Sequence, residues 1–301
     1  RASCCNCELL RKPSKSSCNS IIFIKLRGYI MTTNNTQIQA VVFDWAGTTV
    51  DFGSRAPILA FIALFKDNKV EITVEEARAP MGLEKRDHIA AVLKMPRVAA
   101  AWQEVYGQAA TEADIDRLYK DFIPYQLNSI PKCSALIPGA LETFENIKKR
   151  GAKIGSNTGY ASMMIGRLVK DAADQGYRPD CIVTASDVKY GRPYPEMLWK
   201  NLIQLDVSDI KTVVKVDDTV VGIDEGLNAG CWTVGLAISG NEVGLSYEEW
   251  SALSADEQIV LKDKAYQKMN ASGAHYVIDS VADLPNVLDD IERRLEQGER
   301  P

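Results

Sequence analysis

Hydrophobic positions along the chain fall into distinct regimes. Ala40-Val41-Val42-Phe43 is a short apolar run of the kind a buried parallel strand needs. From about Ser54 to Ile130 the period is helical and nothing reads as a strand. Ile58, Phe61, Ile62 and Phe65 recur at i, i+3, i+4 and i+7, with Pro57 at a first-turn position. Thr73-Val-Glu-Glu76 and Thr111-Glu-Ala-Asp114 have the form of capping boxes that open further helices, the first ending before Pro80. Between them the pattern stays helical through Leu93 and again from Ala99 to Tyr106.

From Ile137 onward helices and strands alternate. Helices are expected over 138–150, 161–175, 195–205, 219–228 and 284–297. Strands are expected over 152–156, 181–184, 212–216, 231–235 and 276–278. Ser246-Tyr-Glu-Glu249 and Ser254-Ala-Asp-Glu257 have the form of two more capping boxes. Such alternation implies a parallel sheet with helices on both faces. The expected fold is α/β: a Rossmann-like parallel sheet core formed by residues 37–52 and 135–301, with an all-helical cap domain inserted at 53–134. An insertion placed directly after the loop of the first strand suits a lid that closes over that loop and excludes water.

Composition narrows the function classes. The 301 residues are 46% hydrophobic and 25% charged, with a net charge of −5. That balance argues against a nucleic-acid or anionic-membrane surface. No apolar run approaches the roughly 18–20 residues that span a bilayer. A cytoplasmic protein acting on a small molecule is expected. An acidic chain that takes a phosphorylated anion must use a metal or a few placed cations. Cys4, Cys5, Cys7 and Cys18 crowd the start at no zinc-like spacing with histidine, while Cys133, Cys181 and Cys231 are dispersed, as in a reducing compartment. Residues 1–30 read as an upstream or vector-derived extension, disordered, with Met31 as the natural start.

Five places carry candidate chemistry. Asp44 stands where the first strand ends, and in open α/β sheets ligands bind beyond the carboxyl ends of the strands, so Asp44 is placed as a nucleophile or metal ligand. Gly47-Thr48-Thr49 follows, a small-residue turn whose N–H groups can approach an anion. Thr158 and Gly159 offer a hydroxyl and an accessible N–H to phosphate oxygens. Arg192, in Gly191-Arg192-Pro193-Tyr194-Pro195, precedes a helix and could fork onto a phosphate. Asp217 and Asp218 follow a buried strand, where two acids are costly unless a cation satisfies them, and oxygen ligands select a hard ion such as Mg²⁺. Lys85 is preceded by Met81 and Gly82, an apolar and backbone-accessible approach, and shares a helix face with His88. A lysine desolvated there becomes an amine nucleophile toward carbonyls. Taken singly, an ordinary strand-end Asp, a surface Arg in a Pro-rich turn and a solvated Lys remain open.

Together these motifs resemble the haloacid dehalogenase superfamily, whose first motif is Asp-x-Asp-x-Thr. Asp44-Trp45-Ala46-Gly47-Thr48-Thr49 keeps the nucleophilic acid but carries Ala46 in place of the second Asp, the acid that protonates alkoxide leaving groups in the superfamily's phosphatases. Asp44-Trp-Ala-Gly-Thr-Thr, Met81-Gly-Leu-Glu-Lys85 with His88, Thr158-Gly-Tyr160, Gly191-Arg-Pro-Tyr-Pro195 and Asp217-Asp218 together resemble the phosphonoacetaldehyde hydrolase (phosphonatase) family, from about Ile38 to the C-terminus. The resemblance implies cleavage of a P–C bond through a Lys85 imine and an Asp44 aspartyl phosphate. It implies Mg²⁺ held by Asp44, the Ala46 carbonyl and Asp218, and phosphate contacts from Thr48, Thr158, Gly159 and Arg192. It also implies that His88 handles protons around imine formation, that Met81, Gly82, His88 and Tyr160 line the site, and that a homodimer forms through the cap. Some relatives have another acid four residues after Asp218. Gly222 stands there, so Asp217, Asp224 or a water must replace it. The rivals are a phosphatase or phosphomutase of the same superfamily, against which Ala46 argues, and a non-catalytic binding module.

Overall fold

A computed structural model describes residues 37–301, so the expectations for residues 1–30 lie outside the described residues. The apolar run forms β1 (Ala40–Phe43), every residue of it buried. Helices follow without a strand among them: α1 (Arg55–Asp67), α2 (Val74–Arg78), α3 (Lys85–Leu93), α4 (Pro96–Tyr106) and α5 (Glu112–Ser129). The alternating part is α6 (Ala140–Lys149), β2 (Lys153–Thr158), α7 (Ser162–Asp174), β3 (Cys181–Thr184), α8 (Glu196–Gln204), β4 (Val213–Asp217), α9 (Val220–Ala229), β5 (Trp232–Leu236), α10 (Tyr247–Ala252), α11 (Ala255–Ala271), β6 (Tyr276–Ile278) and α12 (Leu284–Glu296). Capping boxes open α2, α5, α10 and α11, because each Ser or Thr side chain accepts from the third helical N–H and the acid there returns the bond.

The six strands form one parallel sheet in the order β3-β2-β1-β4-β5-β6. The chain leaves β1 in opposite directions toward β2 and β4, so the crevice where a ligand binds lies beyond the carboxyl ends of β1 and β4. In-register pairing sets Phe43 against Val216, which brings Asp44 beside Asp217. Most ends fall within a residue or two of the expected ones, and two strands run on into the site. β2 continues past Ser156 to Thr158, because Asn157 and Thr158 pair with Val183 and Thr184 of β3. β4 continues to Asp217, which pairs with Gly235 of β5. Strand ends rich in polar residues look like turns until a neighbouring strand holds them.

The helices α1 to α5 have their own aromatic centre. Phe61 of α1 stacks on His88 of α3 at 3.9 Å and on Phe122 of α5 at 4.4 Å, all three buried. The two chain crossings between these helices and the sheet run side by side: Asp51 N–H donates to the Ala135 carbonyl at 3.0 Å and Ile137 N–H to Thr49 at 3.0 Å. Asp51 has φ +58° and is buried, and its carboxylate accepts from the Ala56 N–H at 2.8 Å at the start of α1.

Burial pushes the Asp51 carboxyl up to about 6, with hydrogen bonds from Ala56 and Arg55 and the charge of Arg78 opposing. An acid raised in the folded state binds its proton more tightly when folded. Its stabilising contribution is therefore present at low pH and is lost as pH rises through about 6. Asn keeps the acceptor oxygen, tolerates positive φ and carries no charge. Asp51→Asn should gain stability over the wild type as pH rises from about 4 to 8, by up to about 3 kcal/mol. Urea unfolding at the two ends of that range measures it, and a difference that does not change with pH contradicts it.

Candidate active site

The cavity at the sheet's crevice is built from both parts of the fold. From the sheet side come Asp44 and Ala46 after β1, Thr158, Gly159 and Tyr160 at the end of β2, Arg192 before α8, and Asp218 and Thr219 after β4. From the helical side come Ser54, Pro57, Met81, Gly82 and Lys85. The two sides meet closely at Gly82, whose φ is +96°. A Cβ there would lie 2.3 Å from a methyl of Val221 and 2.5 Å from the Thr219 hydroxyl, so only glycine fits the seam. Asp44 is 7% exposed and Lys85 3%, so both groups on the cavity wall are nearly shielded from solvent.

Of the residues named from sequence, Thr48 and His88 stand behind the cavity wall. Thr48 Oγ1 donates to Asp218 Oδ1 at 3.3 Å. His88 Nε2 lies 2.9 Å from the Ala77 carbonyl, so it carries the proton and donates. That leaves Nδ1 with its lone pair and no partner among the described residues. Burial and the adjoining Lys85 charge hold His88 well below its ordinary value, hence neutral. The Lys85 ammonium position lies 5.1 Å from the centre of the Tyr160 ring and 5.8 Å from that of Phe61. Burial pulls its pKa down to about 8 against the opposing pull of Asp44 and Glu84.

The acids are held unequally. Arg192 Nη2 donates to Asp44 Oδ1 at 2.7 Å. Burial nonetheless raises the Asp44 carboxyl, with Arg192 opposing. Burial, Asp44 and Asp217 together push Asp218 well above the carboxylate range. Burial would also raise Asp217, but Arg192 and Lys215 beside it hold it low. Ligand oxygens of Asp44, Asp217 and Asp218 all lie within 4.8 Å of one another, and Asp224 is not part of that group. Of the four buried acids, Arg192 lies against Asp44, Asp217 and Glu225 and Lys215 against Asp217 and Glu225, while Asp218 has no basic side chain in ion-pair reach among the described residues. A hard divalent cation fits this donor set and this charge.

The sequence reading missed the groups behind Arg192. Asn157, Lys215 and Glu225 are fully buried and joined to one another, and Asn157 and Glu225 also accept from Arg192. Lys215 had a legible signal, a lone cation inside the apolar run Val213-Val214-Lys215-Val216. Ser54, Pro57 and Thr219, also on the cavity wall, carried none.

A six-stranded parallel sheet, an aspartate at the end of its central strand and acids at the end of the next define a haloacid dehalogenase-like hydrolase, and residues 38–230 match that family. A phosphonoacetaldehyde hydrolase of Hahella chejuensis is 53% identical over 264 residues, 88% of this chain and 90% of that protein. One from Vibrio cholerae is 50% identical over 271 residues, 89% of this chain and 99% of that protein. The crystal structure of a phosphonoacetaldehyde hydrolase-like protein from Oleispira antarctica superposes with a TM-score of 0.87 at 50% identity, covering 88% of this chain and 96% of that one. The chain therefore belongs to the phosphonoacetaldehyde hydrolase family of the haloacid dehalogenase-like hydrolases, and it is an enzyme. Among the described residues no helix is long and apolar enough to cross a membrane.

The burial of Lys85 has a direct consequence. The pH dependence of its modification by acetic anhydride, read by peptide mass spectrometry, should have a midpoint near 8, well below that of exposed lysines. A midpoint shared with the exposed lysines contradicts the geometry described.

Proposed function

We propose that this enzyme hydrolyses the P–C bond of phosphonoacetaldehyde to acetaldehyde and phosphate. The observation that carries the reading is the pairing across one dry cavity of a carboxylate, Asp44, with an amine, Lys85, whose pKa is about 8, where Ala46 supplies no acid. A carbon leaving group cannot be rescued by the proton that rescues an alkoxide. It can be rescued by an electron sink.

The Lys85 amine adds to the substrate aldehyde and expels water, giving a protonated imine. Asp44 then attacks phosphorus, the P–C bond breaks, and its electron pair moves into the imine to leave a neutral enamine. Water hydrolyses the aspartyl phosphate and frees Asp44. The enamine takes a proton at carbon, and a second water releases acetaldehyde and the Lys85 amine. One water is lost and two are consumed, so the balance is hydrolysis. The unpartnered Nδ1 of neutral His88 suits a proton relay around imine formation. Arg192, Thr158 and the Gly159 N–H orient the phosphoryl oxygens, with Thr48 bracing Asp218 behind them. Met81 and Tyr160 keep water from the amine.

Mg²⁺ is the cation this reading assigns, held by Asp44, the Ala46 carbonyl and Asp218. When bound it supplies positive charge to the phosphoryl group. Cys133, Cys181 and Cys231 are free thiols, which suits a reducing cytoplasm. By family resemblance we also assign a homodimer through the cap, where Leu59, Val105, Tyr106 and Leu127 are exposed.

Lys85→Arg tests the amine, since Arg keeps the charge and cannot form the imine. It should lower kcat on phosphonoacetaldehyde at least about 10⁴-fold, the scale of losing a central catalytic group. The wild type should turn over p-nitrophenyl phosphate poorly beside phosphonoacetaldehyde. Comparable turnover of the ester, unaffected by Lys85→Arg, would make the protein a phosphatase or phosphomutase instead.

A further inference from the structure

Lys215 is fully buried in the middle of β4 and does not line the cavity. Its Nζ lies 2.9 Å from Asp217 Oδ2 and 3.5 Å from Glu225 Oε2, and it donates to Asn157 Oδ1 at 2.6 Å. Arg192 uses the other sides of the same groups. Its Nε donates to Glu225 Oε2 at 3.0 Å, its Nη2 donates to Asn157 Oδ1 at 2.8 Å, and the same nitrogen lies 3.3 Å from Asp217 Oδ2. A guanidinium is a rigid planar fork, so holding these edges fixes where its bond to Asp44 Oδ1 points.

Asp217 is the most constrained member. Its Oδ1 accepts from the Thr219 N–H at 3.0 Å and from the Thr219 hydroxyl at 2.7 Å, while its Oδ2 faces the two cations. The carboxylate fills the place where a side chain at position 222 would begin. A Cβ on Gly222 would lie 2.0 Å from Asp217 Cγ and 2.1 and 2.2 Å from its oxygens. Oδ1 is fixed by two hydrogen bonds, and Oδ2 is flanked by the two cations while accepting no hydrogen bond among the described residues. Glycine is a poor helix former, yet Gly222 sits inside α9. Asp218 is different: its oxygens accept from the Thr48 hydroxyl and the Asn241 N–H, and among the described residues no basic side chain forms an ion pair with it.

We propose that Asp217 is a positioning residue for Arg192 and not a ligand of the divalent cation, and that Asp217 and Gly222 form one coupled unit. The strand supplies the carboxylate and the helix supplies the room for it. Adjacent acids thereby divide the work: Asp217 answers Arg192 and Lys215, and Asp218 is left to the metal. The turnover part of this inference rests on the reaction proposed above.

The test compares Asp217→Asn, Asp218→Asn, Gly222→Ala, Asp217→Gly and the doubles D217G/G222A and D217G/G222D. Mn²⁺ binding to the metal-stripped protein is counted by electron paramagnetic resonance. Unfolding temperature is measured beside it, with kcat and KM for phosphonoacetaldehyde. Asp217→Asn should still bind Mn²⁺ and lose about 10–100-fold in kcat with little change in KM, the range for a residue acting through another. Asp218→Asn should lose Mn²⁺ binding. Gly222→Ala should lower the unfolding temperature in the wild-type background and do no further harm in the Asp217→Gly background. D217G/G222D should recover kcat relative to Asp217→Gly, because the carboxylate returns to the same place from the helix.

Asp217→Asn losing Mn²⁺ as Asp218→Asn does would make Asp217 a ligand. Full kcat in Asp217→Asn would remove its positioning role, and wild-type stability in Gly222→Ala would remove the coupling. The Mn²⁺ and unfolding measurements do not depend on turnover, so they decide the ligand and coupling claims even where the proposed reaction fails.

Discussion

The constraint on which the rest of this structure depends is the burial of like charges at the crevice between β1 and β4. Parallel pairing of these strands sets Asp44 beside Asp217 and Asp218, and α9 adds Glu225 behind them. Four carboxylates cannot share so dry a space unless cations answer them. Arg192 and Lys215 answer Asp44, Asp217 and Glu225, and Asp218, beside Asp44, is left for a divalent ion. The polar architecture follows from that need: Arg192 spans Asp44, Asp217 and Glu225, Asn157 bridges both cations, and glycine at 222 makes room for a carboxylate.

Against this acidic wall the helical side presents one amine. Lys85 reaches the cavity because Gly82 lets its loop press against Val221 and Thr219, and because Phe61 and Tyr160 give the amine an apolar bed. The same burial that lowers its pKa makes it an amine able to condense with an aldehyde near neutral pH. In the proposed reaction, the missing acid at Ala46 and the desolvated amine at Lys85 are two halves of one solution, a leaving group stabilised through its carbon skeleton instead of through a proton on oxygen.

Much of this was legible because charge contradicts its setting. Asp44 and the pair Asp217-Asp218 end apolar runs, and Gly222 is conspicuous by what it lacks. The alternation of helices and strands after Ile137 carried the sheet. Less legible was whatever depends on distant partners. Asn157 meets Lys215 58 residues away and Glu225 68 residues away, and no local pattern announces either contact. Thr158 reads as a turn until β3 pairs with it. Helical spacing placed His88 on the same face as Lys85, but it could not say that the ring would lie behind the cavity wall, stacked on Phe61. Periodicity gives a residue's face, and only packing gives its depth.

The proposed reaction turns on a covalent bond between Lys85 and the substrate's carbon. The most direct measurement is a borohydride trap: incubate the protein with phosphonoacetaldehyde and Mg²⁺, reduce, digest and locate the added mass. The account predicts a reduced adduct on the peptide carrying Lys85, absent from Lys85→Arg. No adduct at Lys85 while phosphate is still released would contradict it and leave an aspartate-centred hydrolase whose leaving group departs without an imine.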